Sequence, residues 1–452
     1  GIGANASDRD GPTLAGSDQG AAAHQHRLLW VHADEADLLA LHQEVEAGAA
    51  DVGTEVATFL DATGFWDTPR RTRGVPRAFA DFCSSAGPHV VRGAVPARKA
   101  TDRELQCAGA TSARYLRQLR SAAQRVRRTA GGWAWLDSDK SSIITATTEA
   151  VARRAVGAVL EAVEWVVAKP AEGPARAAFV AARPPGHHNG CDERLESLQR
   201  QGWRHAAHGG CVLNETAVAI RHLLARASAH RVAVIDLDAH FGDGTAWQFY
   251  EDAEVLCVSV HLDQSDDHVF PYLKGKAQER GCGPGLRRNL NLPLLPGMGD
   301  GEAMHLLVDF AFPAIAEHAP DVVFISLGFD GLCGDPSGAG LCYSAAFFEH
   351  AVSRCCKLCP RVVCTLQGGY LPQEMASSVS SVLCVLAGQP PSGTMASVEA
   401  EGFDAYVQGL GQLLRDESGW WSVKDSFDYI PEGLVDGEAT GSSDESDNSD
   451  VQ

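Results

Sequence analysis

The side chains best suited to chemistry lie between Arg231 and Thr245, in the stretch RVAVIDLDAHFGDGT. A β-branched run, Val232 to Ile235, leads into Asp236, Leu237, Asp238, Ala239 and His240, and the turn formers Gly242, Asp243 and Gly244 follow. That is the pattern of a buried strand delivering polar groups at its C-terminal end. Residues two apart on an extended strand point to the same side, so Asp236, Asp238 and His240 can share one space. Carboxylates held that close repel and move toward protonation unless a cation lies between them, and a metal ion is the simplest such cation. Taken alone, the same letters also fit an exposed strand-to-helix turn with Asp243 capping the helix.

Four other apolar runs end in the same way. Ala177 to Ala182 runs into Arg183, Pro184, Pro185, Gly186, His187, His188 and Asn189, and Val255 to Val260 runs into His261. Val322 to Leu327 leads to Gly328, Phe329, Asp330 and Gly331, and Val362 to Leu366 leads to Gln367, Gly368, Gly369 and Tyr370. In open α/β sheets ligands bind outside the carboxyl ends of the strands, so these polar residues are expected on one rim. The fold class that follows is α/β: a three-layer α/β/α domain with a largely parallel central sheet.

Length and composition agree with that class. A chain of 452 residues with 45% apolar content can bury a large core. No apolar run approaches the roughly 20 residues a membrane helix needs, so no membrane partner is expected. The first residue is Gly, and the lack of a targeting signal therefore says little. Thirteen cysteines, an odd number scattered through strands and helices, point to reduced, packed thiols and an intracellular setting, cytoplasm or nucleus. The net charge of -20 argues against direct nucleic-acid binding and favours encounter with cationic substrates.

In chain order, 1–25 reads as a disordered lead, and 26–99 as an N-terminal extension with a strand at Arg27 to His32 and a helix at Glu35 to Glu46. The Arg-rich stretch from Pro69 to Arg128 reads mostly as a solvated helix face. A catalytic domain is expected over 100–390, a C-terminal extension over 391–431 and an acidic disordered tail over 432–452. Ser142 to Ala168 carries small and apolar residues at helical spacing and reads as one long helix. Asn189 to His208 is polar and reads as a surface loop near the mouth of the site. Gly301 to His318, Glu349 to Leu358 and Pro372 to Leu386 read as helices packing on the sheet. Cys355, Cys356 and Cys359 fit packing better than half a zinc site.

Arg183 to His188, Asp236 to Gly244, Gly328 to Pro336 and Gly368 to Tyr370, in that order, resemble the motif set of the zinc-dependent histone deacetylase family, nearer its class II and acetylpolyamine-deacetylase-like branches. The resemblance covers roughly Ala100 to Gly388 and implies the arginase/deacetylase-like fold. It implies one catalytic zinc held by Asp238, His240 and Asp330, and a potassium ion held in part by the Asp236 carboxylate. It implies His188 as general base and then acid, His187 as its charged neighbour, Asp236 and Asp243 as the partners of His187 and His188, and Tyr370 as donor to the developing oxyanion. It places Gly210 where relatives carry a Phe that walls the acyl-lysine channel, which suggests a wider channel, and it offers Phe270 as the opposite wall.

This chain also departs from the family. The His-Pro-Glu-x-Pro signature is missing, so the arginine of the product channel has no assignment. Phe241 stands where most relatives have a second His, and Gln367 where class II members usually have Glu. A two-metal, arginase-like site would need a carboxylate two residues after Asp330, where Leu332 stands. Three functions compete at this point: removal of acetyl groups from lysine in histones or other proteins, deacylation of small amides such as acetylpolyamines, and a catalytically silent scaffold. The oligomeric state is not readable from these residues.

Overall fold

The computed structural model describes residues 28–32, 75, 78, 81–82, 91–96, 98–128, 132–136, 141–168, 176–181, 183–190, 207–263, 270–271, 274–337, 340–398 and 400–415. The strands are β1 (Leu28–His32), β2 (Val91–Pro96), β3 (Trp133–Trp135), β4 (Ile143–Thr145), β5 (Arg176–Ala181), β6 (Val232–Asp236), β7 (Val255–Leu262), β8 (Asn289–Leu294), β9 (Val322–Leu327) and β10 (Arg361–Leu366). Eight of them form one sheet in the order β2-β1-β5-β10-β9-β6-β7-β8. Every pairing in it is parallel. All carboxyl ends therefore lie along one edge of the layer, as the sequence reading requires.

Alternation along each strand divides the interior in two. Val232 and Val234 of β6 pack with Val322 and Phe324 of β9 in one cluster, against helices α1 (Ala113–Val126), α2 (Thr148–Val167) and α3 (Glu215–Ala225). Ala233 and Ile235 pack with Val323 and Ile325 in the other. That cluster also takes in α5 (Asp300–Leu306), α6 (Phe312–His318), α7 (Ala345–Leu358), α8 (Pro372–Leu386) and α9 (Phe403–Leu414). A short helix, α4 (Asp243–Gln248), follows β6 directly. The molecule is the expected three-layer α/β/α arrangement, and a sheet covered on both faces accounts for strands that read as continuous apolar runs.

Several boundaries differ from expectation. The long helix starts at Thr148 because Ile143, Ile144 and Thr145, stiff β-branched side chains, pair instead with Trp133–Trp135 in an antiparallel hairpin. Gly301 to His318 is helical throughout, but a π-helical segment at Leu307–Ala311 divides it. Val255–Leu262 extends past the expected end, so His261 is a fully buried core histidine between the Ser259 hydroxyl and the Gly275 carbonyl. Among the described residues of the basic stretch, two arginines are ion-paired, Arg98 with Glu104 and Arg120 with Asp102 and Glu149. Cys333 and Cys342 lie side by side, Cα atoms 3.9 Å apart, where the bridge between Leu332 and Tyr343 brings their segments together, and the other described cysteines are free. The Glu35 to Glu46 helix, the N-terminal lead and the acidic tail lie outside the described residues. No helix among the described residues is long and apolar enough to cross a membrane.

Candidate functional site

The centre of the site is built where β6 stops being a strand. Its last residue is Asp236, and from there the chain turns by bonds between side chain and backbone: the Asp238 N–H donates to Asp236 Oδ1 at 3.1 Å and the His240 N–H to Asp238 Oδ1 at 2.9 Å. Short polar side chains that satisfy the backbone two residues on make such a turn without further strand pairing. Convergence of the three side chains therefore comes from this turn rather than from strand alternation. Asp330, from the turn after β9, accepts the Ala239 N–H at 2.9 Å and faces His240 Nδ1 at 2.9 Å.

Asp238, His240 and Asp330 place one donor atom each within 4.8 Å of one another. Both carboxylates are 1% exposed, a depth at which an unpaired charge is costly. The protonation of the cluster shows the strain of that arrangement. Burial, and then Asp238, push the Asp330 carboxyl up to about 7. Burial opposes charge on His240, but its bonds to Asp238 and Asp330 outweigh it and hold the imidazole at about 10. A divalent cation replaces shared protons of this kind, and two carboxylates with one imidazole leave room for water and substrate on a tetrahedral ion. The donor set fits a catalytic zinc.

Glycines make the close approach feasible. At Gly368 an added Cβ would stand 2.3 Å from Asp330 Oδ2 and 2.5 Å from Asp238 Oδ2, and its N–H donates to Asp238 Oδ2 at 2.7 Å. Gly369 takes a φ of 111°, a conformation that L side chains avoid. The turn after β10 thus runs against the Asp238 and Asp330 carboxylates, and Tyr370, which follows it, donates its N–H to Asp335 Oδ2 at 2.6 Å.

Beside the cluster stand two imidazoles, each backed by a carboxylate. His187 Nδ1 lies 3.1 Å from Asp236 Oδ2, and His188 Nδ1 lies 2.9 Å from Asp243 Oδ1. Their ring centroids are 3.9 Å apart, so the irregular turn through Pro184 and Pro185 holds adjacent side chains together. The environments then separate them. Burial opposes charge on His187, but the Asp238 and Asp236 carboxylates outweigh it and raise it to about 9. Burial, then the charge of His187, pushes His188 down to about 3. The two environments favour charge on His187 and oppose it on His188.

Two further pieces fix the pair from behind. Gly244, in α4, packs so closely on the backbone of His188 and Asn189 that a Cβ would meet their carbonyl carbons at 2.4 Å. On the far side Gln367 Oε1 accepts the N–H groups of Gly186 and His187, while its Nε2 donates to the buried Glu215. Gln367 is thus a spacer between the His turn and a carboxylate.

Of the two glycines beside the His188 ring, Gly209 is the one in close packing. Phe270 packs edge-on to His188, ring centroids 4.8 Å apart. Across from it is Gly209, where a Cβ would meet His188 Cδ2 at 2.6 Å and Phe270 Cζ at 2.8 Å, while a Cβ at Gly210 would meet nothing within 4 Å. Gly210 therefore borders open space. Phe241 turns away into the core against His261. The expected surface loop fails at its ends: Asn189 is buried, and His208 is 2% exposed with Nε2 2.9 Å from Asp243 Oδ2. Lys274 Nζ reaches the same oxygen at 3.0 Å. His208, Lys274 and Glu215 were not singled out in the sequence, where His208 only closes the polar run from Asn189. Only their tertiary neighbours distinguish them.

Comparison with known proteins agrees with this geometry. The chain is 34% identical over 244 residues to histone deacetylase clr3 of Schizosaccharomyces pombe, covering 53% of this chain and 33% of that protein. It is 33% identical over 255 residues to human polyamine deacetylase HDAC10, covering 55% and 35%. The crystal structure of an HDA15 HD domain superposes with a TM-score of 0.68 at 24% identity, covering 89% of this chain and 97% of that one, which shows the shared fold. This chain spans about a third of the length of those two curated relatives. The histone deacetylase domain model matches residues 68–386, well over half of the chain, and the chain belongs to that family.

Proposed function

We propose that this chain is a zinc-dependent amide hydrolase that removes acetyl groups from lysine side chains of histones or other proteins. The observation that carries the reading is the juxtaposition of the Asp238, His240 and Asp330 cluster with two adjacent imidazoles, each backed by its own carboxylate. Asp238, His240 and Asp330 would hold the zinc. The chemistry a zinc supplies when bound is polarisation of the amide carbonyl and acidification of water.

The remaining work falls to this chain's own side chains. His188, with Nδ1 committed to Asp243, presents Nε2 to take the proton of the attacking water and return it to the leaving amine. His187, cationic beside Asp236 and Asp238, adds positive potential where negative charge develops. Tyr370 supplies the phenol donor to the oxyanion, supported by the two glycines that carry its backbone past the ligand carboxylates. Phe270 and the Gly209–Gly210 turn exclude water from the lysine chain on one side and leave it open on the other. A potassium ion at Asp236 belongs to the same proposal, as does residence in the cytoplasm or nucleus, where acetylated proteins of this kind occur.

A second reading is deacylation of small acetylated polyamines. It is favoured by the likeness to human polyamine deacetylase HDAC10 and by the open space at Gly210. Turnover of an acetyl-lysine peptide and of an N-acetylated polyamine by wild type and Tyr370→Phe, with bound zinc and potassium measured in the same samples, separates the readings. The expected outcome is preferred turnover of the peptide, with loss of about 10²- to 10³-fold in kcat in the variant at unchanged zinc content. Preference for the polyamine moves the assignment to the second reading. Zinc-loaded protein inert on both sinks the enzyme reading and leaves a scaffold.

A further inference from the structure

Asp243 carries more partners than orientation of one histidine requires. Its Oδ1 faces His188 Nδ1 at 2.9 Å, while Oδ2 is shared by His208 Nε2 at 2.9 Å and Lys274 Nζ at 3.0 Å. All of this is enclosed: His188, His208 and Asp243 are buried, and only the lysine side chain, 12% exposed, touches solvent. His188, His208 and Asp243 also lie within metal-binding distance of one another, but the Lys274 ammonium supplies the positive charge that a second metal would bring. The rings of His208 and Phe270 flank His188, tilted and edge-on, with centroids 5.5 and 4.8 Å from it.

We infer that His208 and Lys274 are positioning residues for His188, a clamp on the outer oxygen of Asp243 that keeps its inner oxygen on Nδ1. The inference rests on His188 being the general base. A carboxylate with one partner can swing off Nδ1 altogether, and the imidazole then samples both tautomers. With Oδ2 taken by two donors the carboxylate plane is set, the Nδ1–H tautomer is enforced, and Nε2 stays free to accept a proton. The clamp also limits how far Asp243 favours a protonated His188, because the lysine charge offsets the carboxylate. The other titratable groups facing this imidazole are His187 and His240, with ring centroids 3.9 and 6.3 Å away. His208 comes from the turn before α3 and Lys274 from the stretch after Phe270, so the clamp ties both channel walls to the base.

The test compares wild type with His208→Ala, His208→Gln, Lys274→Met and Lys274→Arg on the better substrate. Gln restores a donor at the Nε2 position and Arg restores the cation. Expected for His208→Ala and Lys274→Met is a fall of about 10- to 100-fold in kcat with KM changed less than about twofold. Expected also is an acidic limb of kcat/KM shifted to higher pH in Lys274→Met, since losing the cation strengthens the pull of Asp243 on the His188 proton. The Gln and Arg variants recover most of the rate. Equal losses in the conservative and truncating variants, or no loss in either, overturn the clamp. Imidazole nitrogen shifts by NMR provide a readout that needs no turnover. His188 is expected as the Nδ1–H tautomer in wild type and as a mixture in the His208→Ala, Lys274→Met double variant; an unchanged tautomer overturns the inference even if the protein proves to hydrolyse nothing.

Discussion

Glu215 and Gln367 show how a single exchange of residue type is absorbed. Gln367 keeps the acceptor that the Gly186 and His187 N–H groups need, and its amide nitrogen gives Glu215 a donor that a second carboxylate could not. Glu215 is nevertheless 3% exposed, and its other oxygen has no hydrogen-bond partner. Burial pushes its carboxyl up to about 7 from an ordinary 4.5, with Gln367, then His187 and Arg183, opposing the rise. The folded chain thus holds a proton that the unfolded chain has already released, so stability falls as pH rises from about 4.5 through about 7 and stays reduced above that. Glu215→Gln removes the dependence. The variant is expected to match wild type near pH 4.5 and to exceed it at pH 8 by on the order of 2–3 kcal/mol, measured by urea unfolding at both pH values. A variant less stable than wild type at pH 8 would contradict the raised carboxyl.

At the scale of elements, the turns that end β6, β9 and β10 do the assembling. Gly368 belongs to one of them, and its lack of a Cβ is what admits the Asp238 and Asp330 carboxylates, the proposed metal ligands. Gly368→Ala is expected to abolish metal retention while leaving the helical content intact, checked by metal analysis after gel filtration alongside circular dichroism; full retention would mean that the turn yields more readily than its packing implies. These turns were legible in the sequence because each follows an apolar run and spends its polar residues within six positions. Pro372–Leu386 was legible for the same reason, being a long periodic helix opened by a proline. The Trp133–Trp135 and Ile143–Thr145 hairpin was not, since three-residue strands carry no period to read, and its second strand was absorbed into the neighbouring helix pattern. His208 and Lys274 escaped for a different cause: their partner, Asp243, is more than thirty positions away in the chain in either direction, and nothing local marks a residue that will be buried by tertiary contact.

For the whole molecule, the site is a meeting of distant parts. The His187 turn, the Asp236–His240 turn, Asp330 and Gly368 all belong to separate crossovers of one parallel sheet. A ligand that binds only the folded chain stabilises it by mass action, so zinc at a hundred times its dissociation constant is expected to add about 2.7 kcal/mol. Thermal unfolding with and without a chelator should differ by several degrees, and the difference should vanish in Asp330→Asn. An identical midpoint with and without zinc in wild type would argue against metal capture at this cluster.

The all-parallel order gives that linkage a practical edge. Parallel neighbours cannot be joined by tight hairpins, so each pairing waits on a crossover, and Asp238, His240 and Asp330, the proposed ligands, meet only after β9 has docked beside β6. A partly folded chain has no half-site to occupy. The zinc content of a purified batch should therefore count correctly assembled molecules, and a substitution buried anywhere in the sheet will be visible first as missing metal.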